Sequence, residues 1–373
     1  MKKLFWGATW LYLFLFGCNY ETKTDATSPR SHNQMATLGY AAGQAEVESK
    51  KKSNDANKTP PSKEAEEVNS EKYKDYGVNP YQDPKQDQFS TFAIDVDTAS
   101  YTIARRKLNE NQIPPKEAVR IEEFINFFPP EYEKNRKDWF KVHLDASPSP
   151  FRPKYHLMRV VIQGKDLTSA ERKPANLVFL VDVSGSMASG DKLELVKQSL
   201  RLLVEALDER DYVSICTYAG SVQTVLQPTN AQFKSKIIDA IEELGAGGST
   251  AMASGILNAY SLANVNFRPE VVNRVIVCSD GDANVGTSNH EEILKLIEDY
   301  KDKGITLSTI GFGMGNYQDV MMEQLADKGN GNYSYVDTIA EGKRIFVEQL
   351  TGTLQVIAKD MKVQVEFNPN IVK

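Results

Sequence analysis

NLVFLVDVSGSM, residues 176–187, decides how the chain is read. Leu177 to Val181 is an unbroken apolar run, too short for a helix and rich in β-branched and aromatic residues. That composition predicts a strand buried on both faces, as in a parallel sheet covered by helices. The run stops at Asp182, Ser184 and Ser186, three oxygen side chains at alternate positions. Alternate side chains of an extended turn leave one face, so a carboxylate and two hydroxyls converge on one point. Hydroxyls are poor ligands for soft metals and good ones for a hard octahedral cation such as Mg²⁺.

Strand and helix patterns alternate from this stretch to the end of the chain. The amphipathic run 191–208 places Leu193, Val196, Leu200, Leu203 and Leu207 at helical spacing. VSICTYA (213–219) predicts a second buried strand, and VQTVLQP (222–228), after a tight turn, an antiparallel edge. Helices are expected at 231–244, 250–265, 291–304 and 320–329, and a long one at 340–358. Strands are expected at 274–280, 305–313 and 332–337. This alternation predicts an α/β fold, a doubly wound and mostly parallel six-stranded sheet with right-handed crossovers. With strand order 3-2-1-4-5-6, ligands gather where the order reverses, between the strands ending at Asp182 and Asp280. Thr250 opens the intervening helix after the loop GAGGST, so Asp182, Ser184, Ser186, Thr250 and Asp280 meet at one crevice.

Three segments in order, DVSGSM (182–187), GGST (247–250) and SDGD (279–282), resemble the metal ion-dependent adhesion site of von Willebrand factor type A domains. The strings STFAIDVDTASY, NRVIVCSDGDANVG and MEQLADKGNGNYSYVDT are similar to a bacterial lipoprotein subfamily of that group, over about 85–373. A lone DxSxS is an ordinary turn pattern; all three segments at the right strand ends are specific. The resemblance implies a von Willebrand factor A/Rossmann-like domain holding Mg²⁺ or Mn²⁺. Ser184 and Ser186 would coordinate directly, Thr250 directly or through water, and Asp182 and Asp280 largely through waters. The subfamily usually continues into a further C-terminal domain, so 359–373 is expected to be the start of a C-terminal strand or a truncated domain.

The organisation upstream is different. Lys2 and Lys3 precede a mostly apolar stretch from Leu4 to Phe16, short of the roughly 20 residues that span a bilayer. LFGC at 15–18 resembles a bacterial lipobox. The expectation is a lipoprotein signal peptide over 1–17 and lipidation at Cys18, placing the chain in a Gram-negative cell envelope. Asn19, not being Asp, leans towards the outer membrane by the enteric sorting rule. Residues 18–75 are polar and charged, a disordered tether with a mean reach of roughly 40 Å. Residues 76–170 read as a small α+β N-terminal unit, with a strand at 92–96 and a helix capped by Asp97 or Thr98. A second helix, 117–128, places Ile121, Ile125 and Phe128 on one face, and strands follow at 139–146 and 155–165. DVDTA (95–99) has a phosphoryl-transfer look, but Ala99 stands where that chemistry wants a hydroxyl or Val, so a capping turn is the better reading. The α/β domain spans 171–358. A strand at 361–369 is expected to pair with those of 139–165.

The 373 residues, 41% of them hydrophobic, suffice for two or three domains, and a net charge of −6 argues against a nucleic-acid surface. Cys216 and Cys278 lie in strands separated by another, too far apart for a disulfide, and are expected to be buried free thiols. The expected function is binding a protein partner whose Asp or Glu completes the cation's octahedron, without enzyme activity. The alternatives are a metal-dependent hydrolase using the same cation and a scaffold whose metal is structural.

Overall fold

The computed structural model describes residues 10–15, 71–75, 77, 79–94, 96–168, 170–248, 252–281, 287–313, 317–349 and 362–372. In chain order the strands are β1 Trp10–Leu15, β2 Phe89–Ala93, β3 Phe140–Pro148, β4 His156–Gly164, β5 Ala175–Asp182 and β6 Tyr212–Tyr218. They continue as β7 Val222–Asn230, β8 Val272–Ser279, β9 Ile305–Phe312, β10 Tyr333–Val336 and β11 Lys362–Glu366. The helices are α1 Ala99–Asn109, α2 Ile121–Phe127, α3 Leu193–Ala206 and α4 Lys234–Glu242. After them come α5 Met252–Val265, α6 Thr287–Asp302, α7 Asp319–Lys328 and α8 Ile339–Lys343.

Six strands form one sheet in the order β10-β9-β8-β5-β6-β7, parallel except for β7, which runs antiparallel to β6. Counted from β5 this is the expected 3-2-1-4-5-6. Every residue of β5 is buried. Leu177, Phe179 and Val181 face α3, packing in one cluster with Val196, Leu200 and Leu203. Val178 and Leu180 face α5, with Ile256, Ala259 and Tyr260. Each such side chain stabilises the fold by about 1.5–3 kcal/mol, so a strand apolar on both faces is held in the centre. Gly255 lets α5 come close: a Cβ there would lie 2.9 Å from Cβ of Tyr218. Cys216 and Cys278 are buried free thiols on β6 and β8, with β5 between them.

The N-terminal unit shares a core with this sheet. Ala99, Ile103 and Ala118 pack with Tyr317, Met322, Ala326, Tyr333 and Tyr335. Its polar groups lock to the same edge. Arg120 pairs with Glu123 and, at 2.6 Å, with the fully buried Asp319. Losing one partner of such a buried pair costs about 3–5 kcal/mol, because it strands a charge. The hairpin β3–β4 stands apart from the six-stranded sheet, and the backbone of β1 lies antiparallel on the other edge of β4. Trp10–Leu15, within the segment expected to be cut away on export, form that strand.

Several sequence expectations are corrected. The strand β11 pairs antiparallel with β2, not with 139–165, and Gln364 donates to Thr91 across the pair. Alternation marks a strand without naming its partner. The helix 117–128 becomes α2 with a short turn before it, and Ile121 and Phe128 are exposed while Glu123 and Asn126 are buried. Glu123 has the Arg120 guanidinium to meet, and Asn126 donates to the carbonyl of Asp97. Of the two residues expected to cap α1, Thr98 stands at the N-cap, without a side-chain hydrogen bond, and the Asp97 carboxylate accepts from the Tyr333 amide at 2.8 Å. The strand expected at 92–96 lies at 89–93, and the helix expected at 340–358 is α8 followed by a π-helical turn, Arg344–Gln349. The stretch 350–358 lies outside the described residues, as does most of the expected tether.

The end of that tether, 71–75, is folded onto the protein. Glu71 pairs with Arg106 at 2.7 Å and Lys107 at 2.6 Å, and the Lys72 amide donates to the carbonyl of Tyr317. Burial works against the charge of Glu71, but Arg106 and Lys107 outweigh it and hold the carboxyl below its usual range. A depressed folded pKa contributes stability above the unfolded value, 4.5, that is lost as pH falls through the lowered one. Hydrogen exchange at the Lys72 amide is therefore expected to show constant protection above pH 4.5 and a decline below it. Protection that rises on acidification would contradict the ion-pair account.

Candidate metal site

The site is assembled from the carboxyl ends of β5, β6 and β8. Asp182 closes β5 and is fully buried. Its Oδ1 accepts from the Ser184 amide at 2.9 Å, and its Oδ2 from the hydroxyls of Tyr218, at 3.0 Å, and Ser279, at 2.9 Å. Burial, foremost, and the nearby Asp280 push its carboxyl pKa up, against the pull of the Ser184 and Ser279 hydrogen bonds. Three donors thus fix the carboxylate and leave little of it for direct coordination.

Beyond Asp182 the chain extends through Ser184 and turns into a short 3-10 segment, 185–188. The Ser184 and Ser186 hydroxyls converge to 2.9 Å, as the alternate spacing predicts. An octahedral Mg²⁺ with bonds of about 2.0–2.1 Å has adjacent ligand oxygens about 2.9 Å apart. The two hydroxyls, hydrogen-bonded to each other here, are the donor chemistry that a hard divalent cation takes.

The glycine loop is pinned against this turn. Gly185 donates to the carbonyl of Gly248 at 3.1 Å, and Gly247 to that of Val183 at 2.7 Å. Gly248 adopts φ +92°, and a Cβ there would lie 2.8 Å from the Gly220 nitrogen, so the position requires glycine. Thr250, two residues on, lies outside the described residues, as do Asp282 and Cys18. Asp280 follows β8, is fully buried, and receives Lys192 Nζ at 3.0 Å. Four of the five expected site residues are thus described, and the fold brings them to the point where strand order reverses.

Sequence reasoning missed Tyr218, Ser279 and Lys192. Ser279 stands inside the quoted SDGD, and a hydroxyl before the acid was its signal. Tyr218 and Lys192 gave none: one ends a buried strand and the other opens an amphipathic helix.

The family model described as von Willebrand factor type A domain matches residues 176–350, and one described as von Willebrand factor matches 67–159. The Escherichia coli protein YfbK is 39% identical over 306 residues, covering 80% of this chain and 53% of YfbK. Human inter-alpha-trypsin inhibitor heavy chain H3 is 30% identical over 206 residues, 52% of this chain and 22% of that one. The chain thus spans about half of YfbK and less of the heavy chain. A von Willebrand factor type A structure from Catenulispora acidiphila aligns with TM-score 0.45 at 16% identity, covering 60% of this chain and 51% of that one. Proximal thread matrix protein 1 from the mussel byssus, with a zinc-occupied MIDAS motif, aligns with TM-score 0.40 at 18% identity, over 52% and 48%.

Proposed function

Starting from a chain that contains a von Willebrand factor type A domain over 176–350, we propose that it binds a protein partner through Mg²⁺ or Mn²⁺ held by Ser184, Ser186 and Thr250. Domains of this family mediate protein–protein interaction, often through a metal site. The observation that carries the reading is the hydroxyl pair 2.9 Å apart beside two buried carboxylates.

Asp182, engaged by three donors, orients the loop and would supply negative charge to a cation held by the serines. Asp280, held by Lys192, does the same from β8. Gly185 and Gly248 hold the glycine loop against the serine turn. When bound, the cation supplies an electrophilic position that a partner's Asp or Glu fills. Few direct carboxylates leave that position attractive, which favours docking over hydrolysis. In a pull-down from envelope extract, a partner is expected to be retained with Mg²⁺ and lost with EDTA, Asp182→Ala or Ser184→Ala. Retention through all three treatments would refute metal-bridged binding.

The same proposal places the protein on the cell envelope of a Gram-negative bacterium, anchored through acylated Cys18, with the outer membrane favoured. Support comes from Lys2 and Lys3, the apolar run to Phe16 and the LFGC string. Several acyl chains on one residue anchor stably. Labelled palmitate is expected to enter the wild-type chain and not Cys18→Ser. Equal labelling of both would remove the anchor from this account.

A further inference from the structure

Lys192 precedes α3, and its ammonium is buried 3.0 Å from Asp280 Oδ2. A lysine is seldom buried without a purpose that repays its desolvation. The fold makes a slot for this one. Gly313, at φ +76°, lies where the Lys192 methylenes cross, and any Cβ there would occupy their space. The Gly313 carbonyl is itself fixed, accepting from Arg106 Nη1 at 3.0 Å and from the Tyr335 hydroxyl. Arg106 is in turn paired with Glu71. The lysine is therefore aimed at a metal-site carboxylate from a rigid wall that the N-terminal unit helps to build.

Charge gives the arrangement its meaning. Among the described residues the site has two carboxylates, Asp182 and Asp280, and one ammonium, so it is one charge negative overall. A divalent cation turns it one charge positive, and an incoming carboxylate returns it to neutrality. Without Lys192 the loaded site would already be neutral and would offer a partner's acid no net attraction. At an effective dielectric of about 20, a unit charge a few ångströms away is enough to decide this balance.

Resting on the metal reading above, we infer that Lys192 is a positioning residue that trades metal affinity for carboxylate affinity. It occupies Asp280, keeps that oxygen from coordinating directly, and preserves the loaded site's positive charge.

The test uses the full chain with Mn²⁺, followed by electron paramagnetic resonance, and [1-¹³C]acetate as the carboxylate probe, followed by relaxation at the Mn²⁺-loaded site. Lys192→Met and Lys192→Gln remove the charge, and Lys192→Arg keeps it. Both neutral variants are expected to bind Mn²⁺ about tenfold more tightly and acetate about tenfold more weakly, with Arg near wild type. Neutral variants within twofold of wild type on both measures, or weaker for Mn²⁺, would overturn the inference while leaving the metal reading standing. A wild-type chain that binds no Mn²⁺ would overturn both. Should the neutral variants be unfolded by circular dichroism, millimolar Mn²⁺ is expected to restore the fold by supplying the missing charge. A chain that stays unfolded in Mn²⁺ also overturns the inference.

Discussion

A carboxylate at the end of a strand with no exposed residue is the constraint around which this protein is arranged. Asp182 is fully buried, so protein donors must satisfy it. It does so from three directions, with the Ser184 amide, the Tyr218 hydroxyl and the Ser279 hydroxyl. Those groups belong to the loop after β5, to β6 and to β8, so satisfying one side chain aligns three strand ends. The alignment puts the Ser184 and Ser186 hydroxyls side by side, with Asp280 on the neighbouring strand end. A structural need and a binding site are thus met by one set of hydrogen bonds.

The N-terminal unit extends that logic outward. Arg120 reaches Asp319 at the start of α7, and Asp97 holds the Tyr333 amide at the start of β10. Gly281, at φ +75°, lies directly after Asp280 and close enough to Gln318 that a Cβ would be 2.7 Å from its nitrogen. The residue before Asp319 therefore touches the metal-site loop, while Arg106 fixes the carbonyl of Gly313 beside Lys192. Two separate contacts run from the N-terminal unit to the surroundings of Asp280. The unit buttresses the site as well as flanking it.

The parts of this arrangement that were legible in the sequence are those encoded by local periodicity. An apolar run of five, Leu at helical spacing through 193–207, and oxygen side chains at alternate positions each dictate a local form. Together they gave the sheet order and four described members of the site. The parts that were not legible depend on partners far away in the chain. Nothing near α2 announces that Asp319 will draw Arg120 and Glu123 inward and leave Ile121 outside. Glu71 stands in a stretch too polar to form a core, and distant partners such as Arg106 and Lys107 hold it on the protein. The alternation of 361–369 marks a strand equally well beside β2 or β4. Lys192 looks like any helix-flanking lysine until Asp280, 88 positions later, is seen beside it.

The central claim is that Ser184 and Ser186 are ligands and not merely turn residues. Anomalous diffraction from crystals soaked in Mn²⁺ tests it most directly. The account predicts one strong peak about 2.1 Å from both hydroxyl oxygens, within reach of Thr250 and with Asp182 one water away. No peak there at millimolar Mn²⁺, with the two hydroxyls still hydrogen-bonded to each other, would contradict it.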